Sequence, residues 1–219
     1  RQNDIDTSVT ISFQPGGGGG NQALQGGGGT ENRQAFLTFG DKSWGSVKVG
    51  KDLGIFGSTA ILNDMTLLGV GSNGAGTQHA GGPSGTTTTL GGIGTGYLYA
   101  DWKGQIAYTT PNMNGFLATV GITQPWNAEG DGVTSAASNG SHDNFAYEGQ
   151  ASYSWTGDFS GKAWVGAFYQ GVTGLTAANL DEDAQAFEAG ITTTVMNIGL
   201  TAYAYSGEGI GTTLQLVRG

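Results

Sequence analysis

Apolar and polar residues alternate with a period of two along much of this sequence. The clearest case is FAYEGQASYSW at residues 145–155, where large apolar or aromatic residues alternate with small or polar ones. This period is typical of a β-strand with one apolar and one polar face. Similar segments predict about ten strands in all, the others lying near residues 8–13, 33–39, 47–49, 97–110, 116–122, 162–170, 187–195, 198–204 and 214–216.

The connections between these segments alternate in length. Short turns fall near 40–45, 112–115, 156–158 and 196–197, and long connections fall near 15–32, 52–103, 124–144 and 171–184. This rhythm is typical of an antiparallel up-and-down β-barrel with short turns at one end and long loops at the other. We therefore predict an all-β, transmembrane barrel.

Aromatic residues lie mostly near the predicted strand ends, where interfacial girdles form in membrane barrels. They are Tyr97, Tyr99, Trp102, Tyr108, Phe116, Trp126, Phe145, Trp155, Phe159 and Tyr169. The alternative from another class is a secreted or surface β-sandwich that binds carbohydrate through aromatics such as Trp126 and Trp164. A sandwich would bury its apolar strand faces together, whereas a barrel would turn them toward lipid.

The longest connection, residues 52–103, is an unusual insert for a compact domain. Connections of this length are normally functional or disordered. Its first half is apolar, so we expect it to pack against the barrel by folding into the lumen. Within it, Ser58–Leu68 is compatible with a short helix capped by Ser58 or Thr59, and strand patterning resumes at Tyr97.

Composition excludes several functional classes. The 219 residues contain no Cys and have a formal net charge of -9, so neither a disulfide scaffold nor a nucleic-acid-binding surface is expected. There is no apolar run of about 18 residues and hence no predicted transmembrane helix. His79 and His142 are isolated, no nucleophile motif is present, and we predict no metal site, no cofactor and no enzyme activity, including that of a barrel enzyme.

Three segments resemble the Gram-negative general porin family. They are Arg33–Phe36 followed by Trp44–Lys51, Gln105–Pro111 with Asn114–Phe116, and Tyr147–Tyr153. The resemblance implies a homotrimer in the outer membrane of a Gram-negative bacterium, in which residues 52–103 form the constriction loop. It also implies about sixteen strands in the complete barrel, so residues 1–219 are expected to be one barrel domain lacking its first and last strands.

In such a pore, acidic groups on the infolded loop face basic groups on the barrel wall, and polar solutes pass between them. The acidic candidates on the insert are Asp52 and Asp64. The best basic candidate is Lys48, because alternation places it on the face opposite its two valine neighbours. Arg33 and Lys51 are further basic candidates at strand ends. The alternative is that all five are solvated loop or rim charges.

Glu148, Lys162 and Glu188 are predicted to face the lumen. A charge on the lipid face near the middle of the membrane costs about 2–4 kcal/mol for a cation and somewhat less for an anion. The function expected is passive diffusion of ions and small hydrophilic solutes through a water-filled channel, with outer-membrane lipid as the surrounding partner.

Overall fold

The computed structural model describes residues 5–17, 26–64, 97–98, 100–125, 128–129, 145–175, 180–210 and 216–217. Most of them lie in β-strands, and one short helix, α1 (Ser58–Leu62), follows β3. No helix in this part of the chain is long and apolar enough to cross a bilayer. The strands are β1 (Asp6–Gly17), β2 (Gly26–Asp41), β3 (Gly45–Leu53), β4 (Trp102–Thr109), β5 (Phe116–Thr123), β6 (Ala128–Glu129), β7 (Ala146–Trp155), β8 (Gly161–Leu175), β9 (Leu180–Val195), β10 (Ile198–Glu208) and β11 (Leu216–Val217).

Nine of these strands form one antiparallel sheet. Their order is β1–β2–β3–β4–β5–β7–β8–β9–β10, so the sheet follows the chain from one edge to the other. β6 and β11 form a separate parallel pair. The predicted all-β, up-and-down architecture is confirmed. Within the described residues β1 and β10 are the two edges of the sheet, which is open rather than closed.

Four connections are tight turns at one end of the sheet, as the sequence predicts. They join β2 to β3, β4 to β5, β7 to β8 and β9 to β10. Two of them contain consecutive residues with positive φ: Asn114 (53°) with Gly115 (97°), and Met196 (48°) with Asn197 (67°). This conformation matches the twist of the flanking strands in a tight hairpin.

The long connection predicted at residues 171–184 is much shorter in the structure. β8 continues to Leu175 and β9 begins at Leu180, so the connection is reduced to residues 176–179. The ladder continues through the pairs Gly171–Asp183 and Val172–Glu182. Because ladder hydrogen bonds are made by the backbone, strands extend beyond the segment in which the side chains alternate.

The two faces of the nine-stranded sheet differ in chemistry. The outer face carries large, exposed apolar side chains, which include Val49, Ile106, Val120, Tyr147, Val165, Phe187 and Ile191. The inner face carries mostly small or polar side chains together with a few aromatic ones such as Trp164 and Phe168, and its buried polar residues include Lys103, Gln105, Thr123, Glu148, Gln170 and Glu188. A water-soluble sandwich would have the opposite distribution, so the structure favours a barrel. Of the two tryptophans considered for carbohydrate binding, Trp164 is buried on the inner face and Trp126 lies outside the described residues.

The beginning and end of the insert pack against the inner face. Phe56 and Leu98 are buried in one cluster with side chains of β7, β8 and β9. Ala60, Ile61 and Tyr97 form a second cluster, against which Leu53 and Tyr203 pack. The prediction that the apolar half of the insert packs is therefore confirmed for its described residues, apart from the exposed Leu62.

The helix in the insert is shorter than the sequence suggests, and its N-cap is different. α1 ends at Leu62 and begins after Gly57, which has left-handed φ of 77° and provides no side-chain cap. The two predicted capping residues use their hydroxyl groups elsewhere. Ser58 Oγ donates to the carbonyl of Ile55 at 2.7 Å, and Thr59 Oγ1 donates to Gln150 Oε1 at 2.7 Å.

The expected strand start at Tyr97 is also wrong, since β4 begins at Trp102. Tyr97 and Leu98 are buried against the insert and the inner face, so Tyr97 does not belong to an outer girdle. In the sequence, an aromatic residue shortly before a strand looks the same whether it packs inside the protein or lies in a girdle at the membrane interface. Tyr99 and Trp126 lie outside the described residues.

A glycine beneath an indole ring provides a test of the inner-face packing. A Cβ on Gly190 would overlap the ring of Trp164, whereas a Cβ on Gly199 would meet nothing within 4 Å. We predict that Gly190→Val lowers the free energy of unfolding by about 1–3 kcal/mol through overpacking. The measurement is urea unfolding in detergent or lipid, followed by circular dichroism. The control is Gly199→Val, and equal stability of the two variants would contradict the assigned packing.

Candidate functional site

The two ends of the insert run beside each other where they leave the sheet. The Gly54 amide donates to the carbonyl of Asp101 at 2.8 Å. A Cβ on Gly57 would lie 2.6 Å from the carbonyl oxygen of Leu98. Glycine at this position therefore provides both the left-handed conformation and the space for the returning part of the insert.

Glu148, on the inner face of β7, binds the first part of the insert. Its Oε2 accepts hydrogen bonds from the amides of Ile55 at 2.6 Å and Phe56 at 2.8 Å. Its Oε1 accepts from Thr123 Oγ1 at 2.9 Å and forms an ion pair with Lys103. Both carboxylate oxygens are therefore occupied, and the buried charge has a buried counter-charge.

Glu188, on the inner face of β9, binds the next residue of the insert. It accepts hydrogen bonds from the Gly57 amide at 3.1 Å, from Gln150 Nε2 at 3.1 Å and from the Tyr203 hydroxyl at 2.7 Å. A Cβ on Gly166 of the neighbouring strand would lie only 2.6 Å from Glu188 Oε1. The absence of a side chain at Gly166 thus leaves room for the Glu188 carboxylate to lie against the inner face.

We call Glu148, Glu188, Lys103, Gln150 and Tyr203 the anchor. Backbone amides that leave a sheet need acceptors, because a buried donor without a partner costs about 1–3 kcal/mol. The anchor supplies three acceptor contacts to consecutive residues of the insert. It therefore fixes the position at which the insert crosses the inner face.

A second charged group lies on the inner face of β3. Lys48 forms an ion pair with Asp52, and Gln34 Nε2 donates to Asp52 Oδ1 at 2.9 Å. The Lys48 ammonium also lies 4.8 Å from the centroid of the Phe36 ring. The structure thus brings together two of the residues predicted for a constriction. It places Asp52 in β3, however, and not on the insert as the sequence suggested.

The other three predicted constriction residues lie in different surroundings. Arg33 lies in β2 with its guanidinium 5.9 Å from the centroid of the Trp102 ring. Lys51 pairs in register with Ala35 on the face that carries Val49, and its Nζ donates to the carbonyl of Asn32 at 3.0 Å. The structure thus places Lys51 on the face opposite the Lys48–Asp52 pair.

Asp64 is the predicted acidic residue that does lie on the insert, two residues beyond α1. Its Oδ2 accepts a hydrogen bond from the Tyr97 hydroxyl at 2.7 Å. The contact joins the outgoing and returning parts of the insert.

Lys162 lies on the inner face of β8, half-buried. The register places it between Ser154 of β7 and Thr192 of β9. It shares this face with Trp164 and Phe168, as alternation within β8 predicts, and its position in a pore lumen stays a prediction.

Sequence reasoning missed Lys103, Gln150 and Tyr203. Each lies at an inner-face position of its strand, so the alternation that identified Glu148 contained a signal for them. Their partners, however, are distant in sequence. Lys103 and Glu148 are separated by 45 residues.

Removal of one charge from the anchor tests its contribution to stability. Glu148→Gln leaves the Lys103 ammonium buried beside a neutral amide. Breaking a buried pair in this way costs about 3–5 kcal/mol, and we predict a loss of stability of this size in urea unfolding. Glu208→Gln, which alters an exposed carboxylate of β10, is the matched control and should be close to wild type. Equal midpoints for the two variants would contradict a structural role for the anchor.

Comparison with known proteins places this geometry in a family. Residues 2–214 match the sequence profile of a family described as Gram-negative porin. A search of curated protein sequences found no match. Among solved structures, the chain is similar to the outer membrane channel DcaP of Acinetobacter baumannii, with a TM-score of 0.61 and 16% sequence identity.

The structural match covers 98% of this chain and 51% of the DcaP chain. This chain therefore spans about half the length of that channel, and at this identity the likeness shows the fold alone. The sequence match to the family extends over nearly all of the chain, and it agrees with the exposed apolar outer face and the polar inner face. The chain belongs to the Gram-negative porin family.

Proposed function

We propose that this chain forms the wall of a water-filled channel through which ions and small hydrophilic solutes diffuse passively across the outer membrane. The observation that supports it best is the insert anchored on the polar inner face of a sheet whose outer face is apolar. Lipid would solvate the outer face and water the inner face. Family membership supports a channel in the outer membrane of a Gram-negative bacterium.

In this proposal the insert, predicted as residues 52–103 and lying between β3 and β4 as residues 54–101, narrows the pore. The anchor holds residues 55–57 against β7 and β9, and the described ends of the insert lie on the inner face. Lys48 and Asp52 lie at the same end of the insert, directly before it leaves β3. They are the constriction residues that the geometry supports best, with Asp64 as the acidic group of the insert itself.

The predicted lumenal residues divide into two roles in the proposal. Glu148 and Glu188 hold the insert, because their oxygens accept hydrogen bonds from it and from the wall. Lys162 faces the solute path. Arg33 lies in the middle of β2 beside Trp102, and Lys51 lies near the end of β3 where it contacts the backbone of Asn32, so neither is assigned to the constriction.

In this proposal the oligomeric state and the absence of a catalytic reaction are those expected of the porin family. We infer a homotrimer embedded in outer-membrane lipid, with no cofactor and no catalytic reaction. A channel of this kind works through pore size and electrostatic field rather than through bond formation.

Conductance of the purified full-length protein in planar bilayers tests the channel directly. We predict stepwise insertion events, grouped in threes if the assembly is trimeric, because each subunit would conduct separately. Heat-dependent mobility on a gel verifies that the protein is folded. A silent bilayer from folded protein would contradict the proposed function.

Loosening the anchor should make the pore unsteady. Glu188→Ala removes the acceptor of the Gly57 amide, and a hydrogen bond to a charged group contributes about 1.5–3 kcal/mol. The population of channels with a displaced insert should rise by about tenfold or more, which single-channel recording would detect as additional conductance levels. The control is Glu208→Ala, which removes an equal charge from an exposed site. Identical current traces for the two variants would show that Glu188 does not hold the insert.

A further inference from the structure

We propose that the chain beyond β10 is a strap that closes over the insert at the loop end of the sheet, and that opening of this strap regulates the channel. The loop end is the end opposite the four tight turns. The strap consists of Gly209, Ile210 and β11, and it is tied to β6. The inference rests on the proposed channel function and adds regulation to it.

The chain turns inward where β10 ends. Glu208 is the last residue of the strand, and Gly209 follows with a left-handed φ of 67°, a conformation that favours glycine. Ile210 comes next and is 4% exposed. It is buried in one cluster with Phe56 and Leu98 of the insert and with side chains of β7, β8 and β9. The chain therefore passes from the edge strand onto the insert.

A second glycine leaves room for this fold-back. A Cβ on Gly207 would lie 2.7 Å from Ile210 Cδ1 and 2.8 Å from the Cβ of Ala186. Both distances are well below ordinary contact distance, so a side chain at Gly207 would displace Ile210. The sequence at the end of β10 thus provides both a turn and a seat for the isoleucine.

Beyond Ile210, the strap pairs with a segment from a distant part of the sheet. β11 and β6 run parallel, with Leu216 opposite Ala128 and Val217 opposite Glu129. β6 follows β5 after residues 124–127. Because β5 and β10 both run from the tight-turn end to the loop end, the segments beyond them run in the same direction, which accounts for the parallel pairing.

The pair bridges the strands that hold the insert. In the sheet, β7, β8 and β9 lie between β5 and β10. Glu148 of β7 and Glu188 of β9 bind residues 55–57, and Phe168 of β8 packs against Phe56 with ring centroids 5.9 Å apart. A tie from β5 to β10 therefore spans the loop end of the anchor.

The strap is held less firmly than the strands of the sheet. Two residue pairs join β11 to β6, whereas β10 pairs with β9 along its whole length. A two-stranded pair is marginally stable in water, and a segment with few buried contacts opens locally at a low free-energy cost. Ile210 is the buried side chain among those of the strap that the structure describes. The strap is therefore able to open while the sheet stays folded.

Opening of the strap leaves the insert in place. Residues 55–57 are held by the anchor, whereas the strap meets the insert through Ile210. Release of Ile210 widens the entrance at the loop end without loosening the anchor. The channel then has two conductance levels, a lower one with the strap closed and a higher one with the strap open.

A cross-link between β6 and β11 tests the position of the strap. The chain contains no Cys, so Ala128→Cys combined with Leu216→Cys introduces a single pair of thiols. Paired strands lie about 4.8 Å apart, within the range of about 4.4–6.8 Å that a disulfide bridges between Cα atoms. We predict that oxidation of the folded full-length protein forms an intramolecular disulfide, measured by loss of free thiols. The two single-cysteine variants are the controls.

Single-channel recording of the same variants in planar bilayers tests the regulation. The wild-type channel should move between the two conductance levels. The oxidised double variant should remain at the lower level, and a reductant should restore the transitions. The single-cysteine variants should behave like wild type with and without reductant.

A substitution in the hydrophobic seat provides a second test that needs no cross-link. Ile210→Ala removes buried side-chain atoms from the closed state, and the ratio of time open to time closed should rise by about tenfold or more. The matched control is Ile198→Ala at the other end of β10, where the side chain is 62% exposed. Its ratio should equal that of wild type.

The outcomes separate the strap from the channel. If the wild-type channel conducts and the thiols of the folded double variant do not cross-link, or if cross-linking leaves its transitions unchanged, the strap is overturned while the channel function stands. A folded wild-type protein that does not conduct would overturn the channel function, and the regulatory role of the strap with it.

Discussion

The insert depends on a single requirement, that three consecutive backbone amides leaving the sheet find acceptors. Ile55, Phe56 and Gly57 cannot pair with a neighbouring strand once β3 has ended, and a buried amide without a partner is costly. Glu148 and Glu188 satisfy all three. The carboxylates are themselves tolerable inside the protein because Lys103 and several hydrogen-bond donors surround them. Other side chains of the inner face pack around these hydrogen bonds.

Packing on the inner face follows from the same arrangement. Glycines lie where the insert and the larger wall side chains come closest: Gly121 beneath Ile55, Gly166 beneath Glu188 and Gly190 beneath Trp164. Side chains at these positions would displace the insert or its acceptors. The outer face carries branched and aromatic residues that suit a lipid environment. One sheet thus combines a closely fitted inner surface with an apolar outer one.

The sequence predicted well which residues share a face of a strand, because the alternation of side chains depends only on neighbouring residues. Alternation placed Lys48 on the face opposite its valine neighbours, and alternation together with the cost of a charge on a lipid face placed Glu148, Lys162 and Glu188 on the polar face. It could not distinguish the buried glutamates from the half-buried Lys162, since that depends on what the insert covers. The position of Tyr97 was wrong because its surroundings come from α1 and from Tyr203, far along the chain. The length of the connection at residues 171–184 was predicted wrongly, because strands pair through backbone hydrogen bonds that need no side-chain pattern.

The anchor contacts also have a consequence for the order of folding. The amide of Ile55 and the carboxylate of Glu148 are 93 residues apart, and those of Gly57 and Glu188 are 131 residues apart. Contacts of such high sequence separation form late, because the chain entropy of closing the intervening loop must be lost first. The hairpins of the sheet, in contrast, involve neighbouring strands. We therefore expect the insert to be seated only after β7 and β9 have joined the sheet, so that the inner face acquires its final shape at the end of folding.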